Sequence, residues 1–128
     1  MRVVAQTEYG AFAVDLESEE IEPTDALPAR EALTLNLPRL LGADALGSTI
    51  VAVVDRKPPL MISHDAGVTW RESGAGLPAG TAVAISEENP DLIVYGSRNR
   101  LHVSTDGGMF WRALAVELPL VEALGFEP

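Results

Sequence analysis

The chain has no cysteine, so neither a disulfide framework nor a thiolate metal site is open to it. It is also short of bases. Nine Lys and Arg stand against 19 Asp and Glu, a formal net charge of −10. That balance argues against a nucleic-acid partner, because phosphate binding wants a basic face, and against adsorption to an anionic membrane. No apolar run approaches the roughly 20 residues that cross a bilayer. The first residues, Met1-Arg2-Val3-Val4-Ala5-Gln6-Thr7-Glu8, hold no apolar leader core. Membrane insertion is therefore not expected, and the cytoplasm is the expected compartment. What is present is 128 residues, 47% of them hydrophobic, enough for one domain with a real core.

Two stretches read as one motif written twice. Ser63-His64-Asp65-Ala66-Gly67-Val68-Thr69-Trp70 and Ser104-Thr105-Asp106-Gly107-Gly108-Met109-Phe110-Trp111 both fit S-x-D-x-G-x-x-W, 41 residues apart. Each is followed by Arg and then, seven and eight residues after the Trp, by Leu-Pro. A fixed period near 40 residues marks a repeat architecture.

The match extends outward. Residues 77–86 align with 118–127, and a third copy lies upstream at 27–36, each with apolar residues two apart (Leu33/Leu35, Val83/Ile85, Leu124/Phe126). Alternation of this kind predicts strands. Residues 53–63 and 94–104 each read as strand, turn, strand. One unit is then a Leu-Pro turn and four short antiparallel strands, with the box between strands 3 and 4. Such a unit is the blade of a β-propeller. One stretch, residues 39–46, reads as a helix within the strand 1–2 connection of the middle repeat.

The ends of the chain supply two parts of one blade. The last repeat stops just after its strand 1, and residues 2–14 read as strand 2, turn, strand 3. From Leu27 to Leu77 is 50 positions, from Leu77 to Leu118 is 41, and 37 remain through the termini; all three are blade-sized. The expected division is a single domain, 1–128, of three blades. Residues 118–128 with 1–26 form a split blade, 27–76 a blade with its box at 63–70, and 77–117 a blade with its box at 104–111. The split blade has lost its box, running Asp15-Leu16-Glu17-Ser18-Glu19-Glu20-Ile21 without the Gly or Trp.

The two boxes resemble the Asp-box, or BNR, repeat of sialidases, sortilin-type receptors and photosystem II assembly factors. The first fits the fuller S-x-D-x-G-x-T-W form; the second has Phe110 where the Thr would be. The resemblance implies a propeller, with the box tightening a hairpin away from any active site. The chemistry agrees. A short Asp side chain accepts backbone N–H bonds in a tight turn, Gly67 and Gly108 permit positive φ, and the Trp ring packs between blades while its N–H finds an acceptor. Ser63, Asp65, Gly67, Thr69, Trp70, Ser104, Asp106, Gly108 and Trp111 are therefore read as structural.

Three blades do not close a ring, since propellers run from about four to eight. A head-to-tail homodimer of six blades is the expected solution, with the split blade completed in trans by the two termini. The 1–2 loops and the boxes share one face, rich in Asp15, Glu17, Glu19, Glu20, Asp44, Asp65, Glu87, Glu88, Asp91, Asp106 and Glu127. The 2–3 and 4–1 loops share the other, which collects Arg30, Arg56, Lys57, Arg98 and Arg100, mixed with Glu8, Asp25 and Asp55, with Tyr9 beside them. The five bases and Tyr9 are the candidate ligand-binding residues, for an anionic or carbohydrate ligand. A sialidase-like clamp could be built from Arg30, Arg56 and Arg98 with Tyr9 and Glu8, but Glu8-Tyr9 falls in a turn and no catalytic arginine motif is present. His64 and His102 lack ligand spacing, and the acidic run 15–22 lacks the Gly-punctuated spacing of a Ca²⁺ loop, so neither a metal nor a cofactor is expected. The reading is a non-enzymatic binding or scaffold module. The alternative is a glycan-binding or glycosidase protein using the Arg-bearing face.

Overall fold

A computed structural model describes residues 1–26 and 35–127. It is all-β. The strands are β1 (Arg2–Thr7), β2 (Gly10–Asp15), β3 (Ile21–Thr24), β4 (Leu40–Leu46), β5 (Thr49–Val54), β6 (Leu60–Ser63), β7 (Arg71–Ser73), β8 (Gly80–Ile85), β9 (Ile93–Ser97), β10 (Leu101–Ser104), β11 (Arg112–Ala113) and β12 (Ala123–Phe126). They form three four-stranded antiparallel sheets: sheet 1 in the order β12-β1-β2-β3, sheet 2 as β4-β5-β6-β7 and sheet 3 as β8-β9-β10-β11. Each runs from an inner strand to an outer one, as in a propeller blade. Among the described residues no helix is long and apolar enough to cross a membrane.

Sheet 3 stands in the middle. One face packs on sheet 1 through Val3, Ala5, Val14, Ala84, Val94, Leu101, Leu114, Val121 and Leu124. The other packs on sheet 2 through Val51, Val53, Leu60, Ile62, Val83, Ile85, Ile93 and Tyr95. Because sheet 3 is covered on both sides, β9 and β10 are buried along their whole length. The inner strands are also tied directly. Asp44 on β4 accepts the Ile85 N–H of β8 (2.8 Å), and Thr81 Oγ1 on β8 donates to the Val121 carbonyl ahead of β12 (3.0 Å). Gly42 lets β4 come this close: a Cβ there would lie 2.2 Å from the Thr81 carbonyl oxygen.

The structure differs from three expectations. Residues 39–46 are not helical; Leu40–Leu46 is β4, the inner strand of sheet 2. Its pairing with β5 explains why, since β5 (TIVAVV) would otherwise present a bare apolar edge. The Leu33/Leu35 alternation is not that strand; Leu35 lies outside any strand, and residues 27–34, with the third Leu-Pro copy, lie outside the described residues. The split sheet is closed within one chain, not in trans, by β12 pairing with β1 in the register Val3 with Phe126 through Gln6 with Ala123. The return segment explains this. Leu114, Leu118 and Val121 are buried in the junction of sheets 1 and 3 and deliver β12 beside the chain's own β1. The Glu122 and Glu127 N–H groups then bond the Gln6 and Arg2 carbonyls (2.7 and 2.9 Å).

Substituting Gly42→Ala forces β4 away from β8, because the obstructing atom is backbone. Urea unfolding should show a loss of about 1–3 kcal/mol, the usual range for overpacking; an unchanged midpoint would contradict the close approach.

Candidate functional site

The two boxes build the same turn between strands 3 and 4. In sheet 2, Ser63 Oγ donates to Asp65 Oδ1 (2.7 Å) and accepts the Gly67 N–H (2.8 Å). Asp65 then accepts the Thr69 N–H at Oδ1 (2.9 Å) and the Thr69 hydroxyl at Oδ2 (2.6 Å). Trp70 Nε1 closes the turn on the Gly67 carbonyl (3.1 Å). In sheet 3, Ser104 Oγ again donates to Asp106 (2.7 Å) and accepts from Gly108 (2.9 Å). Asp106 Oδ1 takes the Met109 and Phe110 N–H groups (both 3.0 Å), and Trp111 Nε1 reaches the Gly108 carbonyl (3.2 Å). Gly67 and Gly108 both have φ of 92°, a conformation that L side chains rarely adopt.

These bonds tune the carboxylates. The Thr69 hydroxyl and N–H, then the Ser63 hydroxyl, hold Asp65 down to about 2 from an ordinary 3.8. Asp106 is lowered by the Phe110 N–H and Ser104, without a hydroxyl at position 110. In the split sheet Asp15 is lowered too, by the Ser18 and Glu17 N–H groups that its Oδ1 accepts (2.9 and 2.8 Å). The lost box therefore keeps a carboxylate anchor and drops the Gly and the Trp.

The turns also join sheets. Arg71, at the head of β7, donates from Nη2 to the Gly107 carbonyl in the turn of sheet 3 (2.9 Å). Arg112, its equivalent on β11, donates to the Leu16 carbonyl in the turn of sheet 1 (3.3 Å). Between sheets 2 and 3, Ser73 Oγ bonds the Gly108 carbonyl and accepts from Trp111 Nε1 (3.3 Å), while the Trp111 ring meets Tyr95 edge-on at 6.5 Å. Trp111 thus packs between sheets. Trp70 is half-buried, and its indole N–H stays within its own turn. Sequence reasoning missed the two arginines as a functional pair, although the Arg after each Trp was in plain sight; nothing local says that it reaches the next repeat.

The five described candidate ligand residues are spread over three turns. Tyr9 is 74% exposed at the β1–β2 turn. Arg56 and Lys57 sit at the β5–β6 turn, Arg98 and Arg100 at the β9–β10 turn, and Arg30 lies outside the described residues. Arg56 lines a small hollow of about 160 Å³ with Leu37, Pro38 and Met61, and none of the other described candidates shares it. Two of the bases are engaged within the chain. Arg56 contacts Met61 Sδ (3.0 Å) and lies 3.8 Å from Glu72. Arg100 bonds the Leu114 carbonyl (3.2 Å) and Glu117 (3.3 Å). His102 is buried against Ser97 Oγ (3.1 Å) and beside Tyr95, and burial together with the Arg100 charge lowers its pKa. Among the described residues no group of three or more His, Asp or Glu is placed to hold a metal.

A larger feature lies between sheets 1 and 2. A cleft of about 800 Å³ runs between them, floored by the inner strands β8 and β12 and walled by Val4 of β1 and Ala43 to Leu46 of β4. Glu87 and Glu88, in the β8–β9 loop, stand at its rim.

The fold and this cleft define the class: an all-β chain of three propeller-type blades arranged about an open side. No family model matches the chain, and no curated protein matches it. Among solved structures, YCF48 bound to D1 peptide superposes with a TM-score of 0.49 at 15% identity, over 81% of this chain. The chain spans 35% of the length of that solved chain.

The box chemistry has a signed pH dependence. Asp65 has a folded pKa below its ordinary 3.8, so its contribution to stability is whole above that pH and drains as the pH falls towards 2. Thermal unfolding at a series of acid pH values should show a shallower loss for Asp65→Asn than for the parent chain; parallel curves would contradict the assignment. In the second box, Phe110 is 77% exposed and has no hydroxyl to offer Asp106 Oδ2. Phe110→Thr should therefore raise the thermal midpoint by supplying the bond that Thr69 makes in the first box, and a lowered midpoint would count against that equivalence.

Proposed function

We propose that the chain is a non-enzymatic Asp-box propeller module for binding or scaffolding, and that two copies close head to tail into a six-bladed ring. The observation that carries this reading is the repeated clasp. Strand 4 of sheet 2 holds the turn of sheet 3, and strand 4 of sheet 3 holds the turn of sheet 1, each time through an arginine and a carbonyl. Continued once more, the rule has β3 of sheet 1 hold the turn 63–70 of sheet 2, and within one chain these stand at opposite ends of the row. A second copy supplies both missing junctions at once, as a closed head-to-tail pair requires.

The ends are built differently from the inner junctions. The position equivalent to Arg71 is Ile21, since Arg71 pairs with Ile62 as Ile21 pairs with Val14. Ile21 is 39% exposed, and Val68 at the tip of the turn it would meet is 81% exposed. The third junction would then be apolar where the first two are polar. The faces turned away from sheet 3 carry Val4 and Ala13 on one end and Ile50, Ala52 and Val54 on the other, all of them already buried within one chain, so the exposed Ile21 and Val68 are what the ends offer to a second copy. Binding is favoured over catalysis by where the polar groups point. The ordered Asp and Trp residues serve turns, and Arg56 and Arg100, two residues of the glycan reading, are engaged within the chain.

Size-exclusion chromatography with light scattering tests the assembly. The expected mass is twice 13.6 kDa at micromolar concentration. A stable single-chain mass would overturn the ring, and Ile21→Asp should shift the dimer to that mass.

A further inference from the structure

The cleft between sheets 1 and 2 has a recognition chemistry of its own. Ala45 and Leu46 of β4 and Phe126 of β12 present apolar surface to it, above Val83, Ile85 and Leu124, which are buried in the junctions between sheets. Its side chains include four carboxylates, Asp44, Glu87, Glu88 and Glu127, against one guanidinium, Arg2. Some of that charge is already used. Asp44 accepts the Ile85 N–H, and Glu127 holds Arg2 (2.7 Å), whose other nitrogen bonds Glu22. Glu127 is lowered by that hydrogen bond. Glu87 and Glu88 are different. Both are exposed, and neither is bonded or ion-paired among the described residues. Arg2, the one basic side chain among the described lining residues, is committed to other partners, so the residual side-chain charge beside the apolar surface is negative.

We propose that this cleft binds a short extended segment of a partner protein that carries Lys or Arg beside apolar side chains. The apolar side chains lie on Ala45, Leu46 and Phe126, and the cations reach Glu87 and Glu88. A small hydrated cation would leave the apolar surface wet and gain nothing from it. A polyanion meets the same carboxylates with the wrong sign, and the chain's formal charge of −10 adds to that repulsion. The volume suits several side chains, within the roughly 300–1,000 Å³ usual for ligand sites. Charge sets the choice of partner, and the apolar surface supplies most of the affinity. This proposal rests on the binding-module reading but not on the ring.

An array of random short peptides, probed with the labelled full chain, gives the test. Bound peptides should be enriched in Lys and Arg interspersed with apolar residues, and binding of the best one should weaken with salt. Glu87→Lys with Glu88→Lys, both on an exposed loop, should weaken it about tenfold. Ala45→Trp, at an exposed position of β4 that lines the cleft, should abolish it by filling the space. Thermal midpoints and light-scattering masses of the same samples separate binding from folding and assembly. No bound peptide, or enrichment without a basic bias, would overturn the proposal. Binding left intact in both variants would also overturn it, while leaving the binding-module reading standing elsewhere on the chain.

Discussion

The fold depends on a carboxylate held inside a tight turn. A β-hairpin turn is ordinarily the loosest part of a blade, yet here the turns of sheets 3 and 1 serve as docking surfaces for a neighbouring sheet. Asp65 and Asp106 make that possible by gathering the turn's N–H groups onto one side chain. Once the N–H groups are satisfied inward, the carbonyls are left to point outward. The Gly107 and Gly108 carbonyls then meet Arg71 and Ser73 of the preceding sheet. The same logic survives in the split sheet with less material. Asp15 still gathers the turn, and Arg112 still finds the Leu16 carbonyl, without glycine or tryptophan. The anchor and the clasp are what the fold needs; the indole adds packing where two sheets meet, as Trp111 does against Tyr95.

Packing and clasp divide the labour between the centre and the rim. Near the axis, strands β4, β8 and β12 lie so close that Gly42 has no room for a Cβ, and backbone groups are shared through Asp44 and Thr81. Further out, aliphatic side chains fill the two junctions. At the rim, where burial is weak, polar bonds to turn carbonyls fix the angle between sheets. Loss of the central contacts would slide the sheets, and loss of the rim bonds would let them hinge.

Sequence reading reached the parts of this that are periodic and local. The spacing of 41 located both turns, and alternation located β8 and β12 within a residue or two. Glycine and Asp positions predicted the turn chemistry because each bond there spans four residues or fewer. It failed where the decision was tertiary. Residues 39–46 have enough Leu and Ala to read as a helix, and only the unpaired edge of β5 makes them a strand. Closure of sheet 1 within one chain depends on Leu114, Leu118 and Val121 being buried against another sheet, which no local pattern reveals. The candidate ligand residues were gathered by loop face alone, and loop face does not say how far apart three turns stand.

That separation bears on where recognition can arise in such a chain. The residues that repeat are consumed by the repeat, since each either closes its own turn or holds the turn of a neighbouring sheet. Chemistry for a ligand must come from positions that do not repeat, and from places where the row of sheets is interrupted. The cleft satisfies both conditions. The residues 41 positions before Glu87 and Glu88 are Leu46 and Gly47, which end β4 and open its hairpin, so the acidic pair is particular to sheet 3. It stands between sheets 1 and 2, beside the inner strands β4, β8 and β12. Regularity makes the frame rigid, and the break in regularity leaves room for a partner.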